Sequence, residues 1–174
     1  GCAEPGGRVG GEHAVGPAQV GARTNSTATT GRATAGLGAN GPTVGRLGMG
    51  CRTSSGVDGP ADRAEALATI RAALDSGVTL LDTGDFYGVG HNEMLIGRAL
   101  QERSREDVVL SVKFGATLSP SGMPLGFDGR PENVATSLAY TLRRLGVDHV
   151  DVYRPARLDP DVPIEETVGA NQEP

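Results

Sequence analysis

From about Gly41 onward, short apolar runs alternate with segments whose apolar residues recur at helical spacing. Thr43-Val44 and Arg46-Leu47-Gly48-Met49-Gly50 predict short extended pieces, and Gly59-Pro60 then punctuates the chain. Ala61 to Ser76 predicts a helix, because Leu67, Ile70 and Leu74 share one face with Ala66 and Ala73 beside them. Asp62 falls in its first turn and Gly77 just past its end. Val78-Thr79-Leu80-Leu81 predicts a buried strand that Asp82 ends, and Gly84, Gly88 and Gly90 make the next stretch a loop. Asn92 to about Arg103 returns to helix, with Asn92 as cap and Leu95, Ala99 and Leu100 turned inward. Val108-Val109-Leu110-Ser111-Val112 predicts a second buried strand that ends at Lys113, followed by a Gly/Pro/Ser loop. Pro131 opens a third helix, where proline is tolerated. Val134, Leu138, Leu142 and Leu145 form its apolar face. His149 to Tyr153 reads as the next strand, and Pro163-Ile164-Glu165-Glu166 starts a fourth helix.

Such alternation of strand and helix implies a parallel sheet with crossover helices. A doubly wound sheet and a (β/α)₈ barrel both fit. A dinucleotide-binding doubly wound sheet wants a G-x-G-x-x-G turn after its first strand, and Gly48-Met49-Gly50 is too short a match. The barrel is the reading preferred here.

Residues 1–40 differ from the rest. Ten of them are glycine, and no period of 3.6 or 2 persists. A segment that buries so little apolar surface cannot offset the entropy of ordering it. It reads as a disordered leader or as translated non-native sequence, with the folded part at residues 41–174.

Composition narrows the function classes. The net charge of -5 and the mixing of both signs give no footprint for nucleic acid or an anionic membrane. No apolar run is long enough to span a bilayer. The two cysteines, Cys2 and Cys51, make neither a disulfide framework nor a zinc site, so a reducing, cytoplasmic setting is expected.

Strand ends are where (β/α)₈ enzymes keep their chemistry. Asp82 and Tyr87 follow the second strand, Lys113 the third, and Arg154 and Arg157 the fourth. Lys113 is the only lysine among 16 basic residues. Read alone, it fits a snorkelling surface lysine as well as a tuned cation. Tyr87 shifts the balance. A tyrosine, with a reference pKa of about 10, needs a nearby cation to act as a proton donor near neutrality. A carboxylate can hold that cation. Singly, Asp82 reads as a cap and Tyr87 as a half-buried aromatic. Together, Asp82, Tyr87 and Lys113 read as one site.

The stretch Leu81-Asp82-Thr83-Gly84-Asp85-Phe86-Tyr87-Gly88-Val89-Gly90-His91-Asn92-Glu93 resembles the aldo-keto reductase signature. Ser111-Val112-Lys113-Phe114-Gly115 resembles that family's lysine-bearing strand. Leu142 to Tyr153 resembles its third helix and fourth strand, and Gly45 to Cys51 its first strand. The resemblance implies the first four β/α units of a (β/α)₈ barrel and reduction of small aldehydes or ketones with NADPH. It implies that Tyr87 protonates the carbonyl oxygen, that Lys113 lowers the Tyr87 pKa, and that Asp82 anchors Lys113. It also implies that Gly50, Cys51 and Asp82 line the floor under the nicotinamide.

Two departures stand out. The family places a histidine after its fourth strand, and that position is Ala156 here. Arg154 and Arg157 are the candidate substitutes, while His91 and His149 read as capping or surface residues. Secondly, a full barrel takes about 250 residues, and four strands leave two sheet edges open. In the family most contacts to the dinucleotide phosphates come from the second half. The expectation is therefore an oxidoreductase represented by an incomplete chain, weak or inactive alone. The alternative is a non-catalytic half-barrel or frameshifted product that acts through self-association at its open edges or through a partner.

Overall fold

The structure, a computed structural model, describes residues 33–55 and 62–170. The expectations for Cys2, for Gly59-Pro60 and Ala61, and for residues 1–32 and 171–174 lie outside that range. A hairpin of β1 (Thr34–Gly36) and β2 (Thr43–Gly45) leads the fold. Order therefore begins before Gly41, because β1 finds a backbone partner in β2 although it buries no side chain. The hairpin is fastened to the sheet where Gly45 N donates to Thr79 Oγ1 at 2.7 Å.

The main sheet has four parallel strands in chain order: β3 (Gly48–Gly50), β4 (Leu80–Gly84), β5 (Val109–Phe114) and β8 (Val152–Pro155). Helices α1 (Arg63–Asp75), α2 (His91–Leu100) and α3 (Pro131–Leu145) fill the crossovers, and α4 (Ile164–Gly169) follows β8. The strand order never reverses, so the sheet has no switch point of the doubly wound kind. One apolar core lies between the sheet and the helices. Leu81, Leu110, Val112, Phe114 and Tyr153 meet Ile70, Leu74, Leu95, Ile96, Val134, Leu138 and Leu145 there. The other sheet face carries Asp82, Ser111, Lys113 and Arg154. A sheet covered by helices on one face, with polar strand ends on the other, is a partial (β/α)₈ barrel that the described residues do not close.

Local chemistry explains the elements. Asp62 is the N-cap of α1 rather than a first-turn residue, and its carboxylate accepts from Ala64 N and Glu65 N at 2.7 and 3.2 Å. Gly97 lets α2 approach the end of α3 closely, since a Cβ there would stand 2.7 Å from Leu145 O. Phe114 stacks on Tyr153 with centroids 4.3 Å apart, joining β5 to β8 behind the site.

Several boundaries move. Asp82 and Lys113 lie inside β4 and β5 rather than at their ends. Both are polar because they occupy the face away from the helices, while the backbone keeps pairing with its neighbours. Asn92 does not cap α2. Gly90 does, and Asn92 is fully buried in the first turn. The loop after Lys113 contains a second hairpin, β6 (Ala116–Leu118) with β7 (Pro124–Phe127). The strand expected at His149 begins at Val152, because the Asp151 carboxylate takes the Leu110 amide at 2.8 Å and replaces a ladder bond.

Candidate active site

The parallel register assembles the site. Gly50, Asp82, Ser111 and Val152 form one row across the sheet, and Gly84, Lys113 and Arg154 form the next. Side chains in adjacent rows two residues apart share a face. Asp82 is the centre of the contacts. Lys113 Nζ donates to Asp82 Oδ2 at 2.6 Å, Ser111 Oγ to Oδ1 at 2.9 Å, and Arg154 Nη2 to Oδ1 at 2.9 Å. Burial alone would raise the Asp82 carboxyl, but the hydrogen bonds from Lys113, Ser111 and Arg154 together outweigh it and hold the pKa below the usual carboxylate range. Burial likewise disfavours the Lys113 ammonium, yet Asp82 and then Tyr87 hold its pKa above that of an ordinary lysine. The two directions agree on an ionised pair.

Tyr87 reaches this pair from the loop after β4. Lys113 Nζ lies 4.9 Å from the centroid of its ring, and Phe86 packs edge-on against it at 4.8 Å. The loop is pinned at both ends. Asp85 N donates to Lys113 O at 2.9 Å, which fixes its start to β5. Thr83 Oγ1 donates to Asn92 Oδ1 at 2.6 Å, and Asn92 Nδ2 donates to Cys51 O at 2.6 Å. Within this frame Asp85 keeps one carboxylate oxygen buried without a hydrogen-bond partner among the described residues. Burial, and then the Glu93 carboxylate, pushes its pKa up to about 7.

The structure therefore brings Asp82, Tyr87 and Lys113 together and sets Gly50 beside Asp82. Cys51 is placed differently. Its side chain is sealed in the core, and its backbone N donates to Asp82 O at 2.9 Å. Burial, followed by the Asp82 charge, pushes the Cys51 thiol up to about 12. Ala156 brings no side-chain donor, and its N–H is taken by Phe114 O at 2.8 Å. Of the two arginines considered as substitutes, Arg154 joins the site, whereas Arg157 donates to Ala156 O at 3.3 Å. Ser111 and Asn92 are members that sequence reasoning missed. Ser111 was reachable, since it precedes Lys113 by two residues and must share its face. Asn92 carried no such signal, as a buried amide at a first turn looks like a cap.

Comparison with known proteins shows which family the chain is similar to. A family model described as the aldo/keto reductase family matches residues 46–173. A probable aldo-keto reductase of Glycine max is 38% identical over 135 residues, which make up 76% of this chain and 38% of that protein. An aldo-keto reductase of Bacillus halodurans, solved in a holo form, superposes with a TM-score of 0.71 at 31% identity, over 80% of this chain and 45% of its own. A glycerol dehydrogenase of Gluconobacter oxydans gives 0.68 at 28% identity, over 84% and 45%. The chain spans less than half the length of these relatives.

Proposed function

The chain belongs to the aldo/keto reductase family, and from that premise we propose that it carries the proton-transfer site of an oxidoreductase acting on small aldehydes or ketones with NADPH. The reading rests on one observation, the convergence of Asp82, Lys113 and Tyr87 on one sheet face. The Tyr87 hydroxyl gives its proton to the carbonyl oxygen. The Lys113 ammonium stabilises the phenolate left behind, because an opposite charge at short range favours the ionised form. Asp82 fixes where that ammonium stands. The bound cofactor would supply the hydride for the carbonyl carbon.

The fit of the described residues to that cofactor is confined to the nicotinamide end. Gly50 faces open space where a Cβ would stand, so a flat ring has access to the β3 backbone beside Asp82. Cys51 contributes the path of its backbone and no side-chain contact. A reducing, cytoplasmic setting belongs to the same proposal, supported by the free buried thiol of Cys51. Among the described residues no helix is long and apolar enough to cross a membrane.

The test is NADPH consumption by the purified chain across a panel of aldehydes, with Tyr87→Phe as the control. Activity that Tyr87→Phe abolishes supports the reading. Absence of NADPH binding in a fluorescence titration rules out the 174-residue chain as a working reductase. A second reading draws on the open edges of β3 and β8, which have no outer partner strand among the described residues. In that reading the chain is a half-barrel completed by a second copy or another partner, and sedimentation of the chain above monomer mass supports it.

A further inference from the structure

Asp82 serves two cations at once. Lys113 takes one carboxylate oxygen at 2.6 Å, and Arg154 takes the other at 2.9 Å. An Asp82–Lys113 pair alone sums to zero, whereas the trio carries a surplus positive charge. Arg154 stands in register beside Lys113, on the face that holds Asp82. A guanidinium has five N–H donors and stays protonated, and only Nη2 of Arg154 is engaged by Asp82. Nearby, Ala156 supplies no side-chain donor.

We propose that Arg154 is a positioning residue of this site, sharing Asp82 with Lys113 so that the strand ends carry one surplus positive charge. That surplus stabilises the negative charge that gathers on a carbonyl oxygen during reduction. In this way Arg154 takes over the electrostatic share of a side chain that Ala156 cannot provide. The purpose rests on the reductase reading of the preceding section, but the coupling between Arg154 and Lys113 does not. The charged and titratable groups facing Lys113 are Asp82 from β4, Tyr87 from the following loop, Arg154 from β8 and Cys51 from the turn after β3.

The coupling can be read on one atom, because Lys113 is the only lysine in the chain. Only the neutral amine is acetylated, so trace acetylation by acetic anhydride at pH 9, followed by mass spectrometry of the Lys113 peptide, reports its charge. Arg154→Gln removes a neighbouring positive charge and should slow Lys113 acetylation about threefold to tenfold. Arg154→Met should slow it equally, since the cause is charge and not the hydrogen bond. Asp82→Asn should accelerate it. Simple opening of the site would accelerate all three variants. Unchanged or faster acetylation in both Arg154 variants overturns the proposal. NADPH turnover is measured separately: a wild-type chain without it sinks the reductase reading, while the acetylation rates still decide the role of Arg154.

Discussion

Glu93 and Arg144 form a 2.9 Å ion pair that ties α2 to α3, and its carboxylate end is completely buried. Thr141 Oγ1 adds a second bond to the same carboxylate at 2.7 Å. Removing one partner of such a pair leaves a charge stranded in the core. Arg144→Ala should therefore cost about 3–5 kcal/mol in urea unfolding. A loss below ~1 kcal/mol would show that Thr141 alone satisfies Glu93.

Gly97→Ala should destabilise the chain, against the usual direction. In a free helix the change is worth about 1 kcal/mol in favour of alanine. In α2 the added Cβ would meet Leu145 O at 2.7 Å and Arg144 O at 2.8 Å. Both are backbone atoms at the end of α3, so the helices must separate. Overpacking of this kind costs about 1–3 kcal/mol, which exceeds the helical gain. A melting temperature above wild type would refute this.

Asp85 gives stability a pH dependence of defined sign. Its pKa lies near 4 in a free carboxyl and is pushed up to about 7 in the fold by burial and by Glu93. The folded state thus holds a proton that the unfolded chain has already released. The stabilising contribution is complete below the unfolded pKa and is lost as pH rises through about 7. Asp85→Asn, which cannot ionise, should gain on wild type from about pH 4 to about pH 7 in denaturant midpoints and level off above that. Parallel profiles for the two proteins would remove Asp85 as the source.

Cys51 should resist alkylation while the chain is folded. Its thiol is sealed from solvent and pushed up to about 12, so the reactive thiolate is scarce at pH 8. Peptide mapping after iodoacetamide treatment should find Cys51 unmodified in buffer and fully modified in urea. Labelling in buffer at the urea rate would mean that the turn after β3 opens freely.

The elements themselves were legible in the chain. Leu67, Ile70 and Leu74 marked α1, and the run Val108 to Val112 marked β5, because helical and buried-strand periods survive single polar interruptions. Strand ends were harder to place. Asp82 and Lys113 looked like terminators, since a polar residue after an apolar run usually ends a strand. In a barrel the inner face of a strand end is polar, so Leu81 and Thr83 turn to the helices while Asp82 turns inward. The hairpin of β6 and β7 escaped for the opposite reason. Its turn, Ser119-Pro120-Ser121-Gly122, is all that the sequence displays strongly. The site was half legible: Asp82, Tyr87 and Lys113 carry unusual chemistry at conspicuous places. The tie from Arg154 to Asp82 depends on register between β4, β5 and β8, which no linear pattern contains.

The clasp from Thr83 through Asn92 to Cys51 has a consequence for how this architecture can be cut and rejoined. The bonds from Thr83 to Asn92, from Asn92 to Cys51 and from Asp85 N to Lys113 O are all made by residues between Cys51 and Lys113. A graft of those three strands therefore carries most of the clasp, but it needs Gly115 and α3 as well, because Asp85 also accepts from the Gly115 amide and Glu93 is held by Thr141 and Arg144. Chimeras that join it to a foreign second half need to match the sheet edge and leave the tyrosine loop untouched.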